Sequence, residues 1–300
     1  MTATDPAPRG RLVDLSILTM TALGLAADWS NANKRTVTIP LGEVKHNGAE
    51  FLQDFVSFKG AGMPARNSSD TQLLGGTVIR GKFSFRGTNI SIADLGVDCG
   101  SATNATASDA LVISNAAGSR AHVQNVVALG RDPADVAHAI LIEGFAHVTG
   151  GNTVAVNNYY GHAIKVQRSN FGAMTSVANG GYGVIIKHDK DYNGTGKSVF
   201  GNVLVVGTGT TEFAVQVLCL NTGATDLEMR DISVGDIVCT GVQYGVAVVG
   251  DKGSTGAVGM AAVAGRQVAV GLAGGAGHGL GQAPCGGCHG ADALGIAKKF

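Results

Sequence analysis

Charge is scarce in this chain and evenly split. Lys and Arg total 22, Asp and Glu total 22, and charged residues make up 15% of the 300. Neither a nucleic-acid backbone nor an anionic membrane surface would attract the chain as a whole, so no nucleic-acid and no membrane partner is expected. Local charged patches stay open. No apolar run approaches the ~20 residues of a membrane-spanning helix. The five cysteines, Cys99, Cys219, Cys239, Cys285 and Cys288, are an odd number in a long chain and do not read as a disulfide framework. Proline is limited to 6 residues, and the 46 glycines show no G-X-Y period, which excludes collagen. The 45% hydrophobic content excludes disorder. What remains is a chain with many tight turns between short apolar segments, long enough to bury a large core in one domain.

Those segments repeat. His138-Ala139-Ile140-Leu141-Ile142-Glu143 returns as His162-Ala163-Ile164-Lys165-Val166-Gln167 and again as Tyr182-Gly183-Val184-Ile185-Ile186-Lys187, in steps of 24 and 20 residues. Second apolar runs, Thr153-Val154-Ala155-Val156 and Met174-Thr175-Ser176-Val177, sit between them. Two strands and two turns in about 20 to 25 residues form one coil of a parallel β-helix, a unit too small to bury its own inner face. The phrase extends to Asp109-Ala110-Leu111, Phe213-Ala214-Val215 and Tyr244-Gly245-Val246, so coils are expected to begin near 109, 138, 162, 182, 213 and 244. Strand side chains alternate between faces. The pairs Ile140/Ile142, Ile164/Val166, Val184/Ile186, Val215/Val217 and Val246/Val248 should therefore stack inside. Leu141/Glu143, Lys165/Gln167, Ile185/Lys187 and Gln216/Leu218 should point outward.

Leu12, Leu15, Leu18, Ala22, Leu25 and Trp29 fall at helical spacing, which reads as an amphipathic helix capping the solenoid rather than as a signal peptide. Its apolar stripe, Leu15, Leu18 and Trp29 above all, should pack on the first coil, as terminal units of repeat proteins must. The expected division is an arm and capping helix over 1–35, a parallel β-helix over 36–250, and a Gly/Ala-rich C-terminal segment over 251–300, either irregular or made of terminal coils. The class is all-β.

After the helix come Ile39-Pro40-Leu41-Gly42, Phe58-Lys59-Gly60-Ala61-Gly62 and Thr71-Gln72-Leu73. In this order they resemble the start of the pectate-lyase-like, right-handed β-helix superfamily, which includes phage tailspikes and rhamnogalacturonase- or epimerase-like proteins. The resemblance covers the helix and the first coils through these residues, and the later coils through their period alone. It implies an acidic polysaccharide bound or cleaved along the outward sheet face, an extracellular or virion-associated setting, and a homotrimer.

On that face Glu143, Lys165, Lys187 and Arg168 are the candidate catalytic groups, and Gln167, His188 and Gln216 the candidate substrate contacts. Lyase chemistry needs a base for the proton beside a uronic carboxylate and a cation to hold that carboxylate, which suits Lys165, Lys187 or Arg168. The polygalacturonase type would need Asp residues clustered on successive coils, and the aligned outward positions carry none. Against every such role stands a solvated sheet face with favourable lateral pairs. His138 and His162, at equivalent strand starts, read as part of a column of stacked rings continued by Tyr182, Phe213 and Tyr244.

Asp189, Asp191 and Asn193 open like a calcium loop, D-x-D-x-N-G. The twelfth position is Phe200 and three lysines stand nearby, so an Asx-rich turn ranks ahead of calcium. Cys285-Gly286-Gly287-Cys288-His289 matches the C-x-x-C-H haem-attachment pattern. Only eleven residues follow it and no helical domain surrounds it, so no haem is expected. Two readings result: a carbohydrate-active β-helix, as a lyase, a depolymerase or the body of a tailspike, and a non-catalytic structural or adhesive rod.

Overall fold

The computed structural model describes residues 20–46, 48–100, 109–134, 136–166, 168–189, 198–220, 228–250, 255–260, 263–265 and 272–273. One helix, Met20–Asn33, precedes a parallel β-helix whose coils each contribute a strand to three ladders. Sheet A stacks Glu50–Phe51, Phe83–Phe85, 111–114, 140–143, Tyr160–Lys165, Tyr182–Asp189, 213–220 and 244–250. Sheet B stacks Val37–Ile39, Phe55–Gly60, 89–93, 118–124, 145–151, Ser169–Phe171, Ser198–Phe200 and Glu228–Val234. Sheet C stacks Gly42–Lys45, Thr77–Arg80, 95–98, 126–129, 153–156, Met174–Val177, 203–206 and 237–240. Beyond residue 250 the ladders continue through Thr255–Met260, Val263–Gly265 and Leu272–Ala273.

Alternation decides which side chains go inside. In sheet A, Phe85, Ile113, Ile142, Ile164 and Ile186 form one interior column, and all are buried. Each contributes about 1.5–3 kcal/mol through burial, which only the stack makes possible. Phe51, Phe58, Phe83 and Phe85 fill the N-terminal end of the core with ring centroids 4.6–6.1 Å apart. Where sheet B turns into sheet C, the chain bends at single residues in the left-handed region, Asp94 (φ 56°), Asn125 (52°) and Asn152 (49°). Asx residues tolerate that conformation best after glycine. Their side chains also join into a ladder: Asn152 Nδ2 donates to Asn125 Oδ1 at 2.8 Å and Asn125 Nδ2 to Asp94 Oδ1 at 2.7 Å.

Two expectations are corrected. In sheet A, Tyr160 rather than His162 lies level with His138, and Ile164 rather than Val166 lies between Ile142 and Ile186. The coil steps there are therefore 22 and 22 residues, and the repeated His-Ala-Ile phrase is out of phase with the stacking by two. A slip of two keeps every side chain on its own face, so apolar alternation alone does not set this register. The helix is the second correction. Its buried face is Leu23, Ala27 and Ser30, each 0% exposed, while Leu25 and Trp29 are 64% and 40% exposed. Small residues let the helix lie close on the first strands of sheet B, where Ser30 Oγ accepts the Ser57 amide at 3.0 Å and donates to the Arg35 carbonyl at 2.6 Å. Leu15 and Leu18 lie outside the described residues.

An excursion between sheets B and C, residues 61–76, carries a short antiparallel pair, Ala65–Arg66 with Leu73–Leu74. It folds back over the outside of sheet C. Leu73, with Met63 packed against it, joins Val78, Val127, Leu129, Val156 and Val177 in an apolar cluster on the outer face.

Candidate functional site

The outer face of sheet A carries two columns. The first, Val112, Leu141, Ala163 and Ile185, is apolar and forms its own cluster beneath Tyr160, Tyr182 and Leu218. Gln216 continues it and is 9% exposed, so this expected substrate contact offers a ligand little surface. The second column runs Ser114, Glu143, Lys165, then Lys187 and Leu218. Glu143 lies level with Lys165, and Lys165 Nζ donates to Glu143 Oε2 at 3.2 Å. Both are partly exposed, so the pair contributes about 0–1 kcal/mol. His188 and Asp189 end the strand Tyr182–Asp189. Gln167, Asp191 and Asn193 lie outside the described residues, as do Cys285 and Cys288.

Arg168 does not join the lysines. It is exposed, at the entry to sheet B, where its carbonyl accepts the Val148 amide at 3.0 Å. That places it level with His147, which is itself paired with Arg120. Three basic side chains thus stack on successive coils, about 5 Å apart as neighbouring strands are. Burial and the charges of Arg168 and Arg120 hold the His147 pKa below the ordinary histidine value. Among the described residues no carboxylate comes within ion-pair distance of Arg120, His147 or Arg168. Arg120 and His147 are absent from the sequence-derived set, although a signal existed. Arg120, His147 and Arg168 follow one another in steps of 27 and 21, the same steps that separate Leu129, Val156 and Val177 in sheet C.

The opposite edge of sheet A is lined by rings. His138, Tyr160, Tyr182, Phe213 and Tyr244 stack with centroids 4.7, 5.4, 5.6 and 5.1 Å apart. His138 is fixed to Asp109, which receives its backbone amide at 2.7 Å and lies 2.9 Å from its Nδ1. Burial pushes the Asp109 pKa up, but those bonds outweigh it and leave the pKa below the usual value. Close by, burial raises the Cys99 thiol to about 12, so Cys99 supplies no thiolate nucleophile. His162 is not in the ring column. It stands in the interior between Ile140 and Val184, fully buried, with Nε2 3.0 Å from Thr153 Oγ1. Burial pulls its pKa down to about 3, so His138 and His162 form no catalytic pair.

Beside the ring column, the turns from sheet C to sheet A enclose an open groove of about 540 Å³, lined by Tyr159, Glu212, Thr208, Thr210, Gln243 and the turn backbone at Gly180 and Gly181. The Glu212 carboxylate stands near the Tyr182 hydroxyl. Burial, then that carboxylate, pushes the Tyr182 pKa up to about 12. The Tyr159-Tyr160 doublet was the sequence cue to this groove, and the out-of-phase register concealed it. Among the described residues no group of three or more His, Cys, Asp or Glu side chains is arranged to hold a metal. No family model matches the chain, and no curated protein and no solved structure is significantly similar to it.

Proposed function

We propose that this protein is a polysaccharide-binding β-helix of the pectate-lyase-like kind, acting outside the cell or on a virion, and that an acidic glycan lies along the corner between sheets A and B. The observation that carries this reading is the column Arg120, His147, Arg168, with Lys165 and Lys187 on the adjoining end of sheet A. Like charges stacked at strand spacing repel, and lateral pairs across a sheet ordinarily alternate in sign. A chain of carboxylates or sulfates running along the solenoid axis would meet Arg120 and Arg168 two coils apart, and a third cation between them once His147 is protonated below its lowered pKa. Binding, rather than cleavage, is the activity proposed for this corner: among the described side chains there, the carboxylate of Glu143 is engaged by Lys165, and a general base needs to reach the substrate proton.

Retention of the full chain on immobilised polygalacturonate and heparin, set against neutral dextran, tests this. Binding should fall as salt rises and tighten as pH drops through the lowered His147 pKa. An Arg120→Ala/Arg168→Ala double variant should bind roughly tenfold more weakly, about 1.4 kcal/mol. Equal retention of the double variant would remove the corner from the site.

A second reading, the structural rod, is favoured by one specific observation. Beyond the cluster that Leu73 joins, the outer face of sheet C continues with Leu204, Val206 and Val238, which are 42%, 41% and 45% exposed. Such a stripe suits lateral packing of copies, as in the homotrimer that the resemblance implies.

A further inference from the structure

The geometry points to a second saccharide subsite, separate from the basic corner and specific for an uncharged sugar unit, in the groove where the sheet C to sheet A turns pass Tyr159 and Glu212. Its volume, about 540 Å³, falls within the roughly 300–1,000 Å³ of small-molecule sites. The groove is built rather than incidental, because its floor depends on two glycines. A Cβ at Gly181 would lie 2.4 Å from the Tyr159 ring, and one at Gly180 would lie 1.9 Å from the Pro133 carbonyl oxygen. The Tyr159 ring is therefore laid directly against backbone. It is held edge-on to Tyr160 and Tyr182, at 4.8 and 6.0 Å between centroids.

The polar groups have the mixture that a polyol needs. Glu212, whose amide donates to the Gly181 carbonyl at 2.7 Å, brings a carboxylate that accepts from hydroxyls. Thr208 and Thr210, joined through their hydroxyls at 2.8 Å, donate or accept, and the Gln243 amide does both. A pyranose has one apolar C–H face for a tyrosine ring and a rim of hydroxyls for such groups. The carboxylate repels a uronic acid or a sulfated unit, which is why the occupant is neutral. A cationic ligand fits less well: the faces of Tyr160 and Tyr182 are already taken by stacking, leaving no cage of open rings. This subsite shares with the basic corner only the class of ligand, and neither requires the other.

The test is calorimetric titration of the full chain with neutral tetrasaccharides of glucose, galactose and mannose, in α and β linkage, at low and high salt. At least one should bind with an affinity that salt leaves unchanged. Tyr159→Ala should weaken it about tenfold or more, as loss of a central aromatic contact does. Glu212→Gln should weaken it about threefold or more, and Tyr159→Phe, which keeps the ring, should stay near the parent. Arg120→Ala/Arg168→Ala should leave neutral binding intact while weakening acidic glycans, so failure at one site is distinguishable from failure at the other. Circular dichroism checks that each variant folds, and Glu212→Gln decides the matter where Tyr159→Ala does not. The subsite is overturned if no neutral tetrasaccharide binds, if both variants bind like the parent, or if uronic acid oligomers bind through Tyr159.

Discussion

An imidazole set into an interior column of aliphatic side chains makes stability depend on pH. His162 takes the place that Ile140 and Val184 hold on the neighbouring coils. In the unfolded chain such a group gains its proton near pH 6.5, whereas in the fold burial lowers its pKa to about 3. Between those limits the unfolded state binds more protons, so the stability tied to neutral His162 is complete above about pH 6.5 and is lost as pH falls toward 3. Asp109, also held below its ordinary value, acts in the same direction, but only below the ordinary aspartate pKa of about 3.9. We therefore expect the melting temperature of the parent to drop more steeply between pH 7 and pH 4 than that of His162→Ile. The slope, rather than the absolute stability, is the measurement to trust, because the substitution also leaves Thr153 Oγ1 without its partner. Parallel slopes would show that burial does not lower the His162 pKa.

At the scale of elements, the excursion 61–76 depends on one missing side chain. A Cβ at Gly96 would stand 2.4 Å from Pro64 Cγ and 2.7 Å from Leu73 Cδ1, so the antiparallel pair closes over sheet C only because position 96 is bare. Gly96→Val should cost about 1–3 kcal/mol, the range for forcing extra carbon into a packed contact, and should admit protease between 61 and 76. Unchanged melting and unchanged cleavage would mean that the excursion is not seated on sheet C. The same scale shows what the sequence makes legible. Coils, faces and the helix follow from apolar periodicity, and so does the outward facing of Glu143, Lys165 and Lys187, but the repeated phrase sets Glu143 beside Gln167 whereas the structure sets it beside Lys165. Register within a sheet does not follow. His138 and His162 share a phrase, but the structure matches His138 to Tyr160, since the turn lengths and the ring stack fix the phase and a two-residue slip leaves the pattern intact. Gln216 reads as an outward contact and does face outward, level with Ile185, but it is nearly buried there beside the apolar column. Arg120 and His147 escape notice because they sit on sheet B, whose strands carry no conspicuous repeated phrase. The helix face is missed through residue size. Leu and Trp dominate a hydrophobic stripe, yet close packing on the first coil selects Leu23, Ala27 and Ser30.

At the scale of the molecule, the two functional readings place demand on different faces of one prism. Sheet A and its two edges hold the basic corner and the tyrosine groove, while sheet C holds the apolar stripe. Leu204 and Val238 are register partners on neighbouring coils, so their side chains form a continuous ridge rather than scattered exposure. They extend the outer apolar cluster that Leu73 and Met63 join nearer the N-terminal end. Exposed apolar surface arranged in this way marks an interaction site more often than an isolated leucine does. If copies pack through this ridge, each buried leucine or valine contributes about 1.5–3 kcal/mol per subunit, and a lysine placed there would have to be buried without a partner. We expect Leu204→Lys/Val238→Lys to sediment as a monomer at concentrations where the parent chain is a trimer, with glycan retention at the sheet A corner unchanged per chain. A parent that stays monomeric at high concentration removes the rod reading and leaves the glycan sites to stand alone. A double variant that stays trimeric moves the contact away from sheet C.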